Sequence, residues 1–155
     1  MEDNIKIIAK NKKAEFDYFI LQRYEAGLVL YGTEIKSIRA GNVNLKESYC
    51  EIEKGEMFVL GMHISPYEKA ASFNKDPLRP KKLLMHRREI MTLLGKVKQD
   101  GLTLIPLTLY LKGSKAKLEI GLCRGKKLYD KRDTMAKKDA DRTIERHLKE
   151  RNAQI

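Results

Sequence analysis

Two cysteines, four prolines and no tryptophan occur in 155 residues. Cys50 and Cys123 stand far apart, without CxxC spacing or a nearby histidine pair. That excludes a disulfide framework or a zinc site and leaves two buried thiols as the expectation. No apolar run approaches the roughly 20 residues of a membrane helix. The acidic start Met1-Glu2-Asp3 lacks the cationic and apolar pattern of a secretory signal. A soluble, cytoplasmic protein is expected. Catalytic signatures are missing as well: there is no HExxH, GxSxG or EF-hand loop. Gly121 and Gly125 are separated by three residues, where a phosphate loop needs four, and Lys127 stands where a magnesium-holding Ser or Thr belongs. No GxxG or RNP-like run supports a KH or RRM module. His63, His86 and His147 are scattered, and Glu47, Glu51 and Glu119 form no acid–base or two-metal pattern. An enzyme, including an RNA-processing one, is not expected, and neither is a metal or other cofactor.

Positive charge is plentiful: the net charge is +11 and the isoelectric point near 9.6. An anionic polymer, or an anionic membrane surface, is the implied long-range partner. From Arg124 to Arg151 eleven Lys and Arg face six Asp and Glu, with only Leu128, Tyr129, Met135, Ile144 and Leu148 as sizeable apolar side chains. Such a segment cannot bury enough surface to offset the entropy of ordering it alone. The chain therefore divides into a body, residues 1–124, and a basic tail, residues 125–155, both positively charged.

The body is patterned for strands. Phe16–Leu21 and Leu28–Tyr31 are rich in aromatic and branched residues, with Glu25-Ala26-Gly27 between them as a turn; Tyr49–Ile52 and Met57–Ile64 flank a hairpin at Glu53-Lys54-Gly55-Glu56. Thr33–Arg39 reads as a short helix ending before Gly41. Residues 66–82 hold three of the four prolines and read as a long loop. Ile90, Leu93, Leu94 and Val97 mark an amphipathic helix that stops near Asp100-Gly101. Ala116, Leu118, Ile120 and Leu122 alternate with polar residues and Gly121 along a strand. In its partner, Leu102 and Leu104 have one parity, and Ile105, Leu107, Leu109 and Leu111 the other, which predicts a bulge near Pro106. About six short antiparallel strands with two or three helices point to a mainly β fold, a small closed OB-like barrel that commonly binds nucleic acid.

Three separated runs carry a resemblance: Tyr24-Glu-Ala-Gly-Leu-Val-Leu-Tyr-Gly-Thr-Glu34-Ile-Lys-Ser-Ile-Arg39-Ala-Gly41-Asn-Val-Asn44, then Lys82-Leu-Leu-Met-His86-Arg-Arg-Glu89, then Gly125-Lys-Lys-Leu-Tyr129-Asp-Lys-Arg132. Their order and composition resemble the SsrA-binding protein (SmpB) family from about Asn11 to the tail. The resemblance implies an OB-like barrel that binds the tRNA-like domain of transfer-messenger RNA (tmRNA, SsrA RNA). It implies delivery of that RNA to the vacant A site of stalled ribosomes for trans-translation, ribosome rescue and tagging of nascent chains for proteolysis. It also implies that the protein itself does no chemistry. Alanyl-tRNA synthetase and elongation factor Tu are implied as indirect associates through tmRNA.

Residue by residue, the resemblance assigns Glu34 to the RNA interface, as acceptor from base amino groups or 2′-hydroxyls and as a guide for Lys36 and Arg39. A plain alternative makes it a helix-start acid favoured by the macrodipole. Tyr24 and Asn42 belong to the same implied contact set. Leu84 and His86 fall where the family sets a leucine and a polar residue, often Asn, against RNA; Leu84 is equally readable as a core residue. Asn11, Lys12 and Lys13, with Arg79, Lys81 and Lys82, read either as phosphate contacts or as solvated basic turns.

For the tail the resemblance implies disorder in solution and a helix on the ribosome, near 16S rRNA, the decoding centre and the mRNA path. Ala136, Ala140, Ile144 and Leu148 recur every four residues, and Asp133 with Lys137 and Glu145 with Lys149 are helix-spaced ion pairs, worth ~0.3 kcal/mol each and too weak to hold a lone helix. Tyr129, often His in relatives, is expected to stack on a decoding-centre base, while Lys126, Lys127, Lys131 and Arg132 neutralise phosphates. Asp130, Lys137, Lys138 and Arg142 complete the expected ribosome-binding set. The rival reading is a non-specific RNA-binding or ribosome-associated structural protein.

Overall fold

Alternating side chains and a few sharp turns fix the order of elements. The computed structural model describes residues 4–69, 74–133, 135–139 and 142. Strand β1 (Ile5–Lys10) leads into helix α1 (Lys12–Asp17), strand β2 (Tyr18–Leu28), helix α2 (Gly32–Arg39) and strand β3 (Val43–Asn44). Strands β4 (Tyr49–Glu53), β5 (Glu56–Leu60), β6 (His63–Ile64) and β7 (Lys81–Leu84) follow, then helix α3 (Arg87–Asp100) and the long hairpin β8 (Thr103–Lys112) and β9 (Lys115–Gly125).

The main sheet runs β1-β8-β4-β5-β7-β2-β9, and β8 also pairs with β9. Six strands thus close on themselves, all antiparallel, and β1 lies along the outer part of β8. Closure removes most of the free edges. This is the expected small barrel. Within it Leu118 and Ile120 of β9, Met57 and Val59 of β5, Leu83 of β7 and Leu109 of β8 are almost wholly buried. Helix α3 contributes Ile90 and Leu93 to the same core and stops at Gly101, whose φ of +63° suits glycine.

Several expectations needed correction. The turn at Glu25-Ala26-Gly27 is a continuous part of β2, because these residues pair with Glu119, Leu118 and Lys117, and Ala26 points into the core. Phe16 and Asp17 belong to α1, not to a strand. β1 carries no turn signal to announce it, and Met57–Ile64 is two strands interrupted at Gly61. Inside the long loop, Lys81 and Lys82 already form β7.

The bulge near Pro106 is present: the β8–β9 register shifts between Pro106 and Thr108. Its extra residue, Leu107, restores the parity of the strand, so Leu109 and Leu111 join Leu104 in the main core. Ile105 and Leu107 instead face a second small core with Ala14 of α1 and Cys123. Gly121 permits this approach, since a Cβ there would come within 2.7 Å of Leu107 Cδ1. Six residues are too few for an independent helix. Helix α1 is held by that small core and by Asn11, whose Oδ1 accepts from Ala14 N at 3.2 Å while its Nδ2 donates to Pro106 O at 3.0 Å. Both cysteines are free and buried, and burial pushes the Cys123 thiol up to about 11.

Candidate nucleic-acid interface

Helix α2 begins where Tyr31, in extended backbone, presents its N–H to the carboxylate of Glu34, at 2.9 Å. That carboxylate is 5% exposed. It also accepts from Arg79 across 45 residues of chain, at 2.6 Å from Nη2 and 3.3 Å from Nε. A forked guanidinium on a carboxylate fixes orientation as well as distance. The Arg79 guanidinium lies over the Tyr31 ring at 4.8 Å, with Lys75 Nζ over the same ring at 4.6 Å. Lys36 Nζ lies 5.4 Å from the Tyr67 ring centroid. Glu34, Ser37 and Ile38 form the buried stripe of α2, so Lys36 and Arg39 emerge on its exposed face. The result is a cationic and aromatic surface built on one interior carboxylate, suited to phosphates and base faces.

Strand alternation settles the status of Leu84. Leu83 is buried and Leu84 is 56% exposed. It borders a groove of about 360 Å³ lined by Gly27, Leu28, Leu30, Ile35, Lys115 and Lys117 among others. Gly27 leaves room beside it, since a Cβ there would sit 3.5 Å from Leu84 Cβ. His86 is exposed in the N-cap position of α3 without a side-chain capping bond. Lys82 pairs with Glu56 at 3.3 Å, and Asn42 is exposed just beyond α2.

Not every expected contact gathers here. The Asn11 side chain is turned inward, as described above. Lys81 is fully buried, and its ammonium donates to Met62 O at 2.7 Å and Pro77 O at 3.2 Å. Desolvation pushes its pKa down to about 8, opposed by the nearby Glu34 charge. Both side chains are spent on the fold, which corrects the reading of them as phosphate contacts. Tyr24 packs on the core and donates its hydroxyl to Gln22 at 2.6 Å, and Lys96 donates to the same oxygen at 3.0 Å. Lys12 and Lys13 sit on α1, the latter paired with Glu47 at 2.9 Å. Tyr31, Tyr67 and Lys75 are residues that sequence reasoning missed. The only available signal was the position of Tyr31 immediately before Gly32-Thr33-Glu34.

The tail starts as a continuation of β9. Lys126 N donates to Asp17 O at 2.8 Å, Lys126 Nζ to Glu15 O at 3.3 Å, and Lys131 pairs with Asp17 at 3.2 Å. Residues 128–133, 135–139 and 142 are helical. Lys127 N donates to the Asp130 carboxylate at 3.2 Å, which caps the first turn. Tyr129 is 61% exposed, and Lys127, Arg132, Lys137, Lys138 and Arg142 are exposed too. Ala140, Ile144, Leu148, Glu145 and Lys149 lie outside the described residues.

Among the described residues no cluster of His, Cys, Asp or Glu could hold a metal ion, and no helix is long and apolar enough to cross a membrane.

Comparison with known proteins fits this geometry. The SsrA-binding protein of Carboxydothermus hydrogenoformans is 60% identical over 146 residues, covering 94% of this chain and 98% of the relative. That of Lachnoclostridium phytofermentans is 58% identical over 151 residues, covering 97% and 98%, and that of Anoxybacillus flavithermus 61% over 146 residues, covering 94% and 95%. A solved chain described as "tmRNA-SmpB: a journey to the center of the bacterial ribosome" superposes with a TM-score of 0.66 at 48% identity, covering 79% of this chain and 85% of that one. The family model for SmpB protein matches residues 8–150, and the chain belongs to that family.

Proposed function

We propose that the chain binds the tRNA-like domain of tmRNA and delivers it to the A site of stalled ribosomes, where trans-translation tags the nascent chain for proteolysis and frees the ribosome. The observation that carries this reading is identity near 60% over almost the whole chain with proteins named for binding SsrA RNA. The α2 and β7 face supplies chemistry to match. Lys36, Arg39, Lys75 and Arg79 offer charge, Tyr31 and Tyr67 offer rings, and Leu84 offers an exposed apolar contact for a base or ribose. Glu34 acts from beneath, as the positioning residue for Arg79.

The tail, through Lys126, Lys127, Tyr129, Asp130, Lys131, Arg132, Lys137, Lys138 and Arg142, is assigned to the ribosome: 16S rRNA, the decoding centre and the mRNA path. The expectation for the far end of the tail, residues 143–155, lies outside the described residues. The protein works in the cytoplasm as a binding module and not as an enzyme. Alanyl-tRNA synthetase and elongation factor Tu associate with it only through tmRNA.

The test is a reconstituted reaction with ribosomes stalled on a message lacking a stop codon. Tag addition that requires both tmRNA and this protein supports the reading. Tagging that proceeds equally without the protein refutes it.

A further inference from the structure

An ammonium inside a barrel is costly to desolvate, and an uncharged side chain of similar length would pack there without that cost. Lys81 of β7 nevertheless occupies such a place, fully buried. Its Nζ spans two parts of the chain, donating to Met62 O, immediately before β6, at 2.7 Å and to Pro77 O, in the loop before β7, at 3.2 Å. Pro77 O also accepts from the Ile64 N–H at 3.1 Å, so one loop carbonyl is held by two donors. Met62 and Ile64 are almost wholly buried and belong to the main core, which makes the barrel end of this tie rigid.

The tied stretch carries two cations of the α2 face. Pro77 sits in a turn in which the Leu78 N–H donates to Asp76 Oδ1 at 2.9 Å and the Arg79 N–H to Asp76 O at 3.1 Å. Lys75 precedes this turn and Arg79 ends it, and both lie over the Tyr31 ring. Farther back the loop is closed on itself, since the Tyr67 N–H donates to Asn74 Oδ1 at 2.7 Å and Asn74 Nδ2 to Tyr67 O at 2.9 Å. The turn is thus held at Pro77 from the core and at Arg79 by Glu34. Lys81 also lies within electrostatic reach of Glu34, Arg79 and Asp76. An apolar residue at position 81 would fill the same space but remove both ammonium bonds, leaving the turn to the Ile64 amide and the Arg79 fork. Packing alone therefore gives no reason for a lysine here, whereas a hold on the turn does.

We infer that Lys81 is a positioning residue for RNA binding, which from inside the barrel holds the turn between Lys75 and Arg79 so that both cations and the Tyr31 ring form one face. The inference deepens the proposed function and rests on it. It means that part of the affinity of the α2 face is set by a side chain that RNA never touches, and that Glu34 and Lys81 fix the same loop from two sides.

The test is a double-mutant cycle in affinity for the tRNA-like domain, measured on the full chain at about 0.15 M salt. Lys81→Met keeps the stem, removes the donors, and should weaken binding about fivefold to tenfold. In a background carrying Lys75→Ala and Arg79→Ala the same substitution should change affinity less than about twofold, because the side chains it places are gone. A general loss of stability would act equally in both backgrounds. Amide exchange gives the second readout: in Lys81→Met the Ile64 and Arg79 amides should exchange about tenfold faster or more, with a much smaller change at Leu109 and Leu118 in the core. Lys81→Gln, shorter but still a donor, should show a smaller loss with the same dependence on Lys75 and Arg79, and it carries the test if the methionine variant does not fold. An affinity loss under about twofold in the parent background, equal losses in both backgrounds, or unchanged exchange at Ile64 and Arg79 overturns the inference. If the parent chain fails to prefer the tRNA-like domain over ordinary tRNA, the functional reading itself falls, and the cycle run on ordinary tRNA together with the exchange rates still scores Lys81.

Discussion

The carboxylate of Glu34, buried at the start of α2, holds the guanidinium of Arg79 at 2.6 Å and thereby joins that helix to the loop preceding β7. Removing the carboxylate leaves Arg79 and the Tyr31 N–H without their shared acceptor. Glu34→Ala should cost about 1 to 3 kcal/mol of affinity for the tRNA-like domain, with Arg79→Ala alone giving much of the same loss. A double-mutant cycle checks this, since a positioning role requires strong coupling between the two residues. Additive losses would show that Glu34 touches RNA independently.

Leu83 and Leu84 are neighbours with opposite fates. Leu83→Ala should lower stability by about 2 to 5 kcal/mol, whereas Leu84→Ser should change it by about 0.5 kcal/mol or less. The affinity for the tRNA-like domain should respond in the opposite order, provided it is measured on fully folded protein. Denaturant titration together with RNA binding checks the pair.

Asn11 satisfies both the first turn of α1 and the carbonyl exposed at the bulge. Asn11→Ala should destabilise the fold by roughly 1 to 3 kcal/mol, from the lost cap and the buried unsatisfied oxygen. RNA affinity per folded molecule should be unchanged, as calorimetry and binding performed together would reveal.

Lys81 links stability to pH. Its folded pKa, about 8, lies below the ordinary lysine value of 10.5, so between these limits the unfolded chain binds more protons. Stability should therefore rise with pH across that window, relative to a Lys81→Met variant. Urea midpoints of the two proteins at pH 7.5 and 10 measure the difference, and parallel curves would refute the desolvation argument.

Tyr129 is exposed on the helical start of the tail. Tyr129→Ala should reduce tagging on stalled ribosomes, in keeping with ~1 to 3 kcal/mol of lost stacking, and leave domain binding unaltered. Tyr129→His should retain most of the activity. Equal loss of tagging and domain binding in the alanine variant would abolish this division of labour.

How far the sequence foretold the molecule follows from which interactions are local. Lys54-Gly55, the α3 stripe from Ile90 to Val97, and the phase change at Pro106 depend on neighbours in the chain, and all three were legible. The straight run of β2 through Glu25-Ala26-Gly27 was not, because its partners lie some ninety residues away on β9. Asn11 and Lys81 looked like surface contacts since their receptors, Pro106 O and Met62 O, are backbone groups that no sequence motif displays. Glu34 stood out through its motif, but its tie to Arg79 and the rings of Tyr31 and Tyr67 required the fold.

The most direct test of the account is binding of the full chain, and of a version ending at Gly125, to the tRNA-like domain at about 0.15 M salt with excess ordinary tRNA as competitor. Selective and similar binding by both is the predicted result, which would place tmRNA recognition on the barrel and reserve the tail for the ribosome. Weak, unselective binding that vanishes with the tail would contradict it and mark the chain as a generic basic RNA binder.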